Sequence, residues 1–258
     1  TVEKSLAGIF KRSANGAYAP AAKLGQGAII TSDGWIVSTF VPASDAAGSW
    51  QEYVVSASGR LYDIDRIVVD APSQLAFIHL KKANSLPVRE FALRGELGAF
   101  QAVSGLEWQG NFETGFLGRM AEGIRSSDTS LPELAVSGLS GRSLILFDQS
   151  GRVIGLSRGR SVIAMDTVKA LTDKLLTDGK IERARLGIRY LSLSVTTGSK
   201  QDGALLVDAD KAPAVAAASP AEKAGLKAGD IITSVADVSV GNGTDIAALI
   251  AEYRPGDK

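Results

Sequence analysis

Apolar residues in the first two-thirds of the chain come in short runs separated by turns that contain glycine. Residues 27–37 read Gly-Ala-Ile-Ile-Thr-Ser-Asp-Gly-Trp-Ile-Val, two apolar runs around Asp33-Gly34. That is a strong hairpin signal, because Asp-Gly accepts the positive φ angles of a tight two-residue turn. The pattern returns from Val54 to Ile64 around Ser58-Gly59, and from Leu144 to Leu156 around Ser150-Gly151. Short strands at even spacing predict an antiparallel barrel or sandwich rather than a βαβ fold.

The period then changes. Val168, Leu171 and Leu175 fall on one helical face, with Asp166 and Thr167 as candidate N-caps and Gly179 as the stop. The charged stretch Lys180 to Arg185 reads as a linker. Beyond it, Pro220 to Gly229 predicts a short helix closed by glycines, followed by a strand over Asp230 to Val235. A last helix over Thr244 to Tyr253 places Ile246, Leu249 and Ile250 on one side. The Ala/Pro-rich stretch from Lys211 to Ser219 reads as a flexible loop.

Composition narrows the chemistry. Lysine plus arginine and aspartate plus glutamate both number 28, so the formal net charge is zero. Nucleic acid is disfavoured as main partner, since phosphate binding draws on a basic surplus. The absence of cysteine removes disulfides, thiolate catalysis and cysteine-held metals. A single histidine, His79, leaves little for a metal site or for acid–base work, so no metal and no cofactor are expected. No apolar run reaches the length of a membrane span. The chain opens on Thr1, which leads us to expect that a signal peptide or anchor has been removed.

Five ordered pieces resemble one family, the HtrA/Deg proteins. Residues 25–38, Gly-Gln-Gly-Ala-Ile-Ile-Thr-Ser-Asp-Gly-Trp-Ile-Val-Ser, resemble its glycine-bordered run into Asp-Gly-Tyr-Ile. Residues 73–80, Ser-Gln-Leu-Ala-Phe-Ile-His-Leu, resemble its Ser-Asp-Leu-Ala segment. Residues 138–144, Gly-Leu-Ser-Gly-Arg-Ser-Leu, stand where the family has Gly-Asn-Ser-Gly-Gly-Pro-Leu. The fourth piece is the closing helix and the Leu186-Gly187-Ile188 step, and the fifth is residues 220–232, close to a PDZ signature. The resemblance implies a mainly all-β fold: a trypsin-like double six-stranded barrel over 1–178, a linker at 179–184 and a partial α+β PDZ domain over 185–258. It implies two further strands after Pro255-Gly256-Asp257, which this chain does not reach.

The resemblance also assigns the catalytic positions, and here the residues depart from it. A serine protease needs a base for the serine proton and an acid group to orient that base. Val41 stands in the histidine's place and Gln74 in the aspartate's; Ser140 alone matches, as the nucleophile. Neither valine nor glutamine can carry out the missing steps. Leu139, Arg142 and Ser143 replace the usual polar, glycine and proline residues of the loop, and Gly138 with Ser140 would supply the oxyanion-hole N–H groups. His79 lies five residues beyond Gln74, about 16 Å along an extended strand. These departures lead to the expectation of a pseudoprotease, not an enzyme, that acts as a peptide-binding scaffold, chaperone-like holder or regulator of active relatives. The alternative is a serine hydrolase in which a lysine, glutamate or histidine within about 3 Å of the Ser140 hydroxyl serves as an unconventional base.

The peptide-binding side of the resemblance rests on Arg185-Leu186-Gly187-Ile188, the loop whose backbone N–H groups would receive a terminal carboxylate. Leu186 and Ile188, with Ile246, Leu249 and Ile250, would line an apolar groove, or else belong to plain core. The implied partners are extended or C-terminal peptides, with active HtrA relatives and a homotrimer as further associations. Phe10 and Tyr18 are the candidate trimer contacts, and Trp50 and Trp108, read as loop residues, are candidate exposed contacts. Trp35 and Phe40 are expected in the core. The implied location is the bacterial periplasm or cell envelope.

Overall fold

The computed structural model describes the chain except residues 15, 43–48, 119–122, 130–132, 141, 160, 194–201, 210–211, 242–243 and 258. Of the segments singled out above, residues 141, 211 and 258 lie outside the described residues. Two compact units are present. The first comprises Thr1–Leu93, Leu97–Gly118 and Leu134–Met165; the second comprises Arg94–Glu96, Arg119–Glu133 and Asp166–Lys258. Segments 94–96, 119–133 and 166–178, expected in the first domain, group with the second unit.

In the first unit, β1 (Leu6–Lys11), β2 (Gly25–Ile29), β3 (Trp35–Ser38), β4 (Tyr53–Ala57), β5 (Arg60–Asp70) and β6 (Leu75–Leu80) close into an antiparallel barrel of order β1-β2-β3-β6-β5-β4. The expected turns make it. Between β4 and β5, Ser58 and Gly59 sit at φ 48° and 77°, the doubly left-handed turn that matches strand twist. Inward-facing Ile9, Ile29, Ile36, Val55, Ile78 and Leu80 fill the barrel. Ile78 is fully buried, so Ile78→Ala is expected to destabilise this unit by about 2–5 kcal/mol, read as a lowered denaturant midpoint.

A second sheet follows, built from β7 (Ala102–Leu106), β8 (Phe112–Leu117), β10 (Glu133–Leu134), β11 (Val136–Ser137), β12 (Ile145–Phe147), β13 (Val153–Arg158) and β14 (Ser161–Ala164); β9 (Ile124–Ser126) lies between β8 and β10 in sequence and pairs elsewhere. Its order is β10-β14-β13-β12-β7-β8-β11, a nearly closed barrel over a core of Val103, Leu144, Leu146, Ile154 and Val162. It counts seven strands rather than six, because 133–137 forms two short pairings. This is the expected double barrel. Trp108 corrects the expectation of an exposed loop residue: it is 7% exposed and packs edge-on against Phe10 at 5.3 Å. Phe10 in turn is 1% exposed and touches Tyr18, so burial takes it out of the surface role expected of it.

The second unit opens with α1 (Met165–Asp178), which buries Val168, Leu171 and Leu175 as its period predicts. It starts two or three residues earlier than caps at Asp166 or Thr167 would give, so both stand in its first turn. Asp166 accepts from the Arg94 backbone N–H instead. Gly179 at φ 70° ends the helix. Then come β15 (Arg189–Ser192), β16 (Ala204–Leu206), α2 (Pro220–Lys223), β17 (Ile231–Ile232), the small pair β18 (Ser234–Val235) and β19 (Val238–Ser239), and α3 (Ile246–Glu252). The sheet order is β17-β16-β15-β9, so β9 forms one edge against β15. Among the described residues no helix is long and apolar enough to cross a membrane.

Candidate functional site

In the first unit the loop that carries Ser140 is pinned on both sides. Gln26, 1% exposed on β2, donates through Nε2 to the carbonyls of Ser143 (2.7 Å) and Leu106 (3.2 Å). Its Oε1 accepts from the Trp108 N–H and from Lys23 Nζ, so a buried amide is fully used. Ser157 on β13 donates through Oγ to the Arg142 carbonyl (2.5 Å) and accepts from the Leu144 N–H (2.6 Å).

The segment with Val41 reaches the same loop: Thr39 Oγ1 and Ser143 Oγ are 3.2 Å apart. The Gln74 segment is held by Arg158, the neighbour of Ser157, whose Nη1 donates to Ser73 O (2.9 Å) and Gln74 Oε1 (3.1 Å). Gln74 itself sits at φ 52° and is exposed. The three segments expected to form the site therefore share supports. His79 does not join them. It faces Trp35, at the end of β3 away from Thr39 and Val41, with its ring 4.9 Å from the indole and Nδ1 3.1 Å from Asp65 Oδ2.

Sequence reading missed the acid beside the serine. Glu113 on β8 takes both polar groups of Ser140: Oγ donates to Oε1 at 2.5 Å and the backbone N–H to Oε2 at 2.7 Å. Those two bonds hold the Glu113 carboxyl below its ordinary range. The residue is 27 positions upstream, on an alternating strand where a glutamate reads as surface. The same N–H belongs to the expected oxyanion hole, so in this conformation one donor of that hole is engaged. Gly138, the other, is exposed at φ 85°.

In the second unit the loop 185–188 also has partners. The N–H groups of Leu186 and Gly187 both donate to Asp128 Oδ1, at 3.0 and 3.1 Å, and the Ile188 N–H donates to Ser127 Oγ at 3.2 Å. Of the expected lining, Ile188, Ile246 and Leu249 are buried among Tyr190, Leu206 and Ala221, so for these the core reading applies. Leu186 and Ile250 pack half-buried at its margin, and Arg185 is exposed.

Asp245 caps α3, accepting from the Ala247 N–H, and also accepts from the Tyr190 hydroxyl (2.8 Å). Burial and the Asp245 charge push the Tyr190 hydroxyl well above its ordinary pKa, so it remains a donor.

Comparison with known proteins agrees with this architecture. Residues 212–256 match the PDZ domain family. A probable periplasmic serine endoprotease, DegP-like, of Brucella suis is 35% identical over 127 residues, covering 43% of this chain and 24% of the relative. The serine protease Do-like HtrA of Lactococcus lactis is 34% identical over 144 residues, 46% of this chain and 34% of the relative. A DegP-like protein of Bartonella henselae, again called a probable periplasmic serine endoprotease, is 29% identical over 261 residues, 90% of this chain and 49% of the relative. The chain thus spans about half or less of the length of the curated relatives it matches. A trypsin-like double barrel joined to a PDZ domain defines the class, and the relatives to which the chain is similar are HtrA/Deg proteins. The expectation of a non-enzyme, drawn from Val41 and Gln74, is corrected by these names, which point to a protease.

Proposed function

We propose that this chain captures extended or C-terminal segments of proteins in the groove of its PDZ domain, as an exported factor of protein quality control in the cell envelope. The domain boundary in this reading is the linker 179–184. The observation that carries capture is the loop 185–188: the N–H groups of Leu186 and Gly187 converge on a single carboxylate oxygen. That is the chemistry by which a terminal carboxylate is received, while a neighbouring strand edge takes the peptide backbone. Export is supported by relatives whose names place them in the periplasm. Calorimetric titration of free-acid peptides, extended to millimolar peptide, is expected to show uptake that C-terminal amidation abolishes. No uptake by either the wild-type chain or Asp128→Asn would remove the reading.

A second activity rests on a different observation, the Glu113 carboxylate on the Ser140 hydroxyl. Val41 and Gln74 cannot move a proton, so acyl transfer in this reading uses Ser140 Oγ as nucleophile and Glu113 as the group that accepts its proton. Substrate would have to free the Ser140 N–H from Oε2 for use as an oxyanion donor. Fluorophosphonate labelling at Ser140, beside an active relative as reference, tests it; an unlabelled chain beside a labelled reference would remove it.

A further inference from the structure

In the second unit the edge of β15 is covered by another strand of the same chain. β9 pairs antiparallel with β15, Ile124 opposite Leu191, Arg125 opposite Tyr190 and Ser126 opposite Arg189. At its end the Ser127 N–H donates to the Ile188 carbonyl at 3.0 Å, while the Ile188 N–H returns to Ser127 Oγ. One residue on, the Asp128 side chain sets a carboxylate oxygen on the N–H groups of Leu186 and Gly187. A free peptide that ended at the Ser127 position would place its terminal carboxylate in that same cradle.

The register assigns the remaining contacts. Counting back from Ser127 as the last residue, Arg125 is two residues before the end. Its guanidinium Nη1 lies 2.9 Å from Asp245 Oδ2, and the Asp245 side chain is 2% exposed. Asp245 is fixed there by the first turn of α3 and by the Tyr190 hydroxyl. The buried Arg94 also faces this carboxylate, so a cation in the place of Arg125 adds a second partner to Asp245, while an anion there would be repelled by it. Ile124, three before the end, is 47% exposed and adds little selection.

Resting on the capture reading, we propose that Ile124–Asp128 is a tethered ligand of the peptide groove, and that the ligand displacing it is a protein C-terminus with arginine or lysine two residues before its last. The tether works by mass action. A segment in the same chain competes at an effective concentration on the order of millimolar. Outside peptides therefore bind with an affinity reduced by the fraction of molecules whose groove is open.

The test uses the whole chain and three labelled peptides in fluorescence anisotropy: Gly-Ile-Arg-Ser-Ser with a free carboxylate, its C-terminal amide, and Gly-Ile-Glu-Ser-Ser. The variant Arg125→Ala with Asp128→Asn is expected to bind the first peptide about tenfold or more tighter than wild type. Amidation, or glutamate in place of arginine, should each weaken binding by about tenfold or more. Asp245→Asn, which keeps an oxygen for the helix cap, should erase the difference between the arginine and glutamate peptides.

Hydrogen exchange gives an independent reading. The amides of Leu186 and Gly187 should exchange faster in Asp128→Asn than in wild type, even if the double variant does not fold. Equal binding and equal exchange in wild type and variants would overturn the tether while capture stands. Equal affinity for the arginine and glutamate peptides would overturn the assigned specificity. No binding of any of the three peptides by any form would overturn the capture reading itself, and this inference with it.

Discussion

Ser140→Ala is expected to reduce fluorophosphonate labelling and ester hydrolysis to background, and Glu113→Gln to lower both by about 10²–10⁴, the usual contribution of a positioned general base. Glutamine keeps the size of the side chain but loses the charge that draws the hydroxyl proton. The pH profile separates this pair from any histidine-based mechanism. The ionised carboxylate is the acceptor, and the Ser140 hydroxyl and N–H hold its pKa below the ordinary 4.5. A lowered pKa means that the charge persists as pH falls, so labelling should stay level from neutral pH to 4.5 and decline only below it. A histidine base would lose activity through about pH 6.5. A decline near that value, or full labelling in Glu113→Gln, would take Glu113 out of the reaction.

The two residues that matter most to these readings, Glu113 and Asp128, were the ones the sequence hid. The barrels were legible through their hairpins, which are local: the Ser58-Gly59 turn fixes β4 against β5, and Asp33-Gly34 lies between β2 and β3, whereas the β1–β4 and β3–β6 pairings that close the first barrel span longer stretches of chain. The last helix was legible from the spacing of Ile246, Leu249 and Ile250. Glu113 meets Ser140 through a pairing that neither residue announces. Its strand alternates polar and apolar positions like any exposed strand, and the partner sits on a loop 27 residues on.

The Asp128 contact spans still more chain. It lies 58 residues before Leu186, in a short polar run after β9 whose only signal is a carboxylate following two serines. That long pairing is also why the compact units are discontinuous in sequence. Conversely, Trp108 looked like a loop aromatic because its burial depends on Phe10, nearly a hundred residues earlier. Periodicity reports which face of an element is buried, not which distant element buries it.

Gly187→Ala is expected to remove peptide capture and to destabilise the second unit more than an ordinary glycine substitution would. Two costs add at this position. The backbone is at φ 82°, where any side chain is strained by about 1–2 kcal/mol. A Cβ there would also stand 2.3 Å from the Ser219 Cβ and 2.8 Å from its Oγ. Ser219 cannot simply yield, because its hydroxyl caps α2 by accepting from the Glu222 N–H. Displacing it forfeits a cap worth roughly 0.5–2 kcal/mol.

Gly225→Ala is the control that divides the two costs. It lies at φ 84° with nothing within 4 Å of a new Cβ, so it should cost only the backbone strain and leave binding unchanged. Thermal melts of both variants, read beside the anisotropy titrations, give the comparison. If Gly187→Ala melts with Gly225→Ala and still binds the free-acid peptide, the loop does not need its tight approach to Ser219. A lower melt with binding lost would tie the geometry of Leu186 and Gly187 directly to carboxylate capture, since the substituted residue is itself one of the two donors.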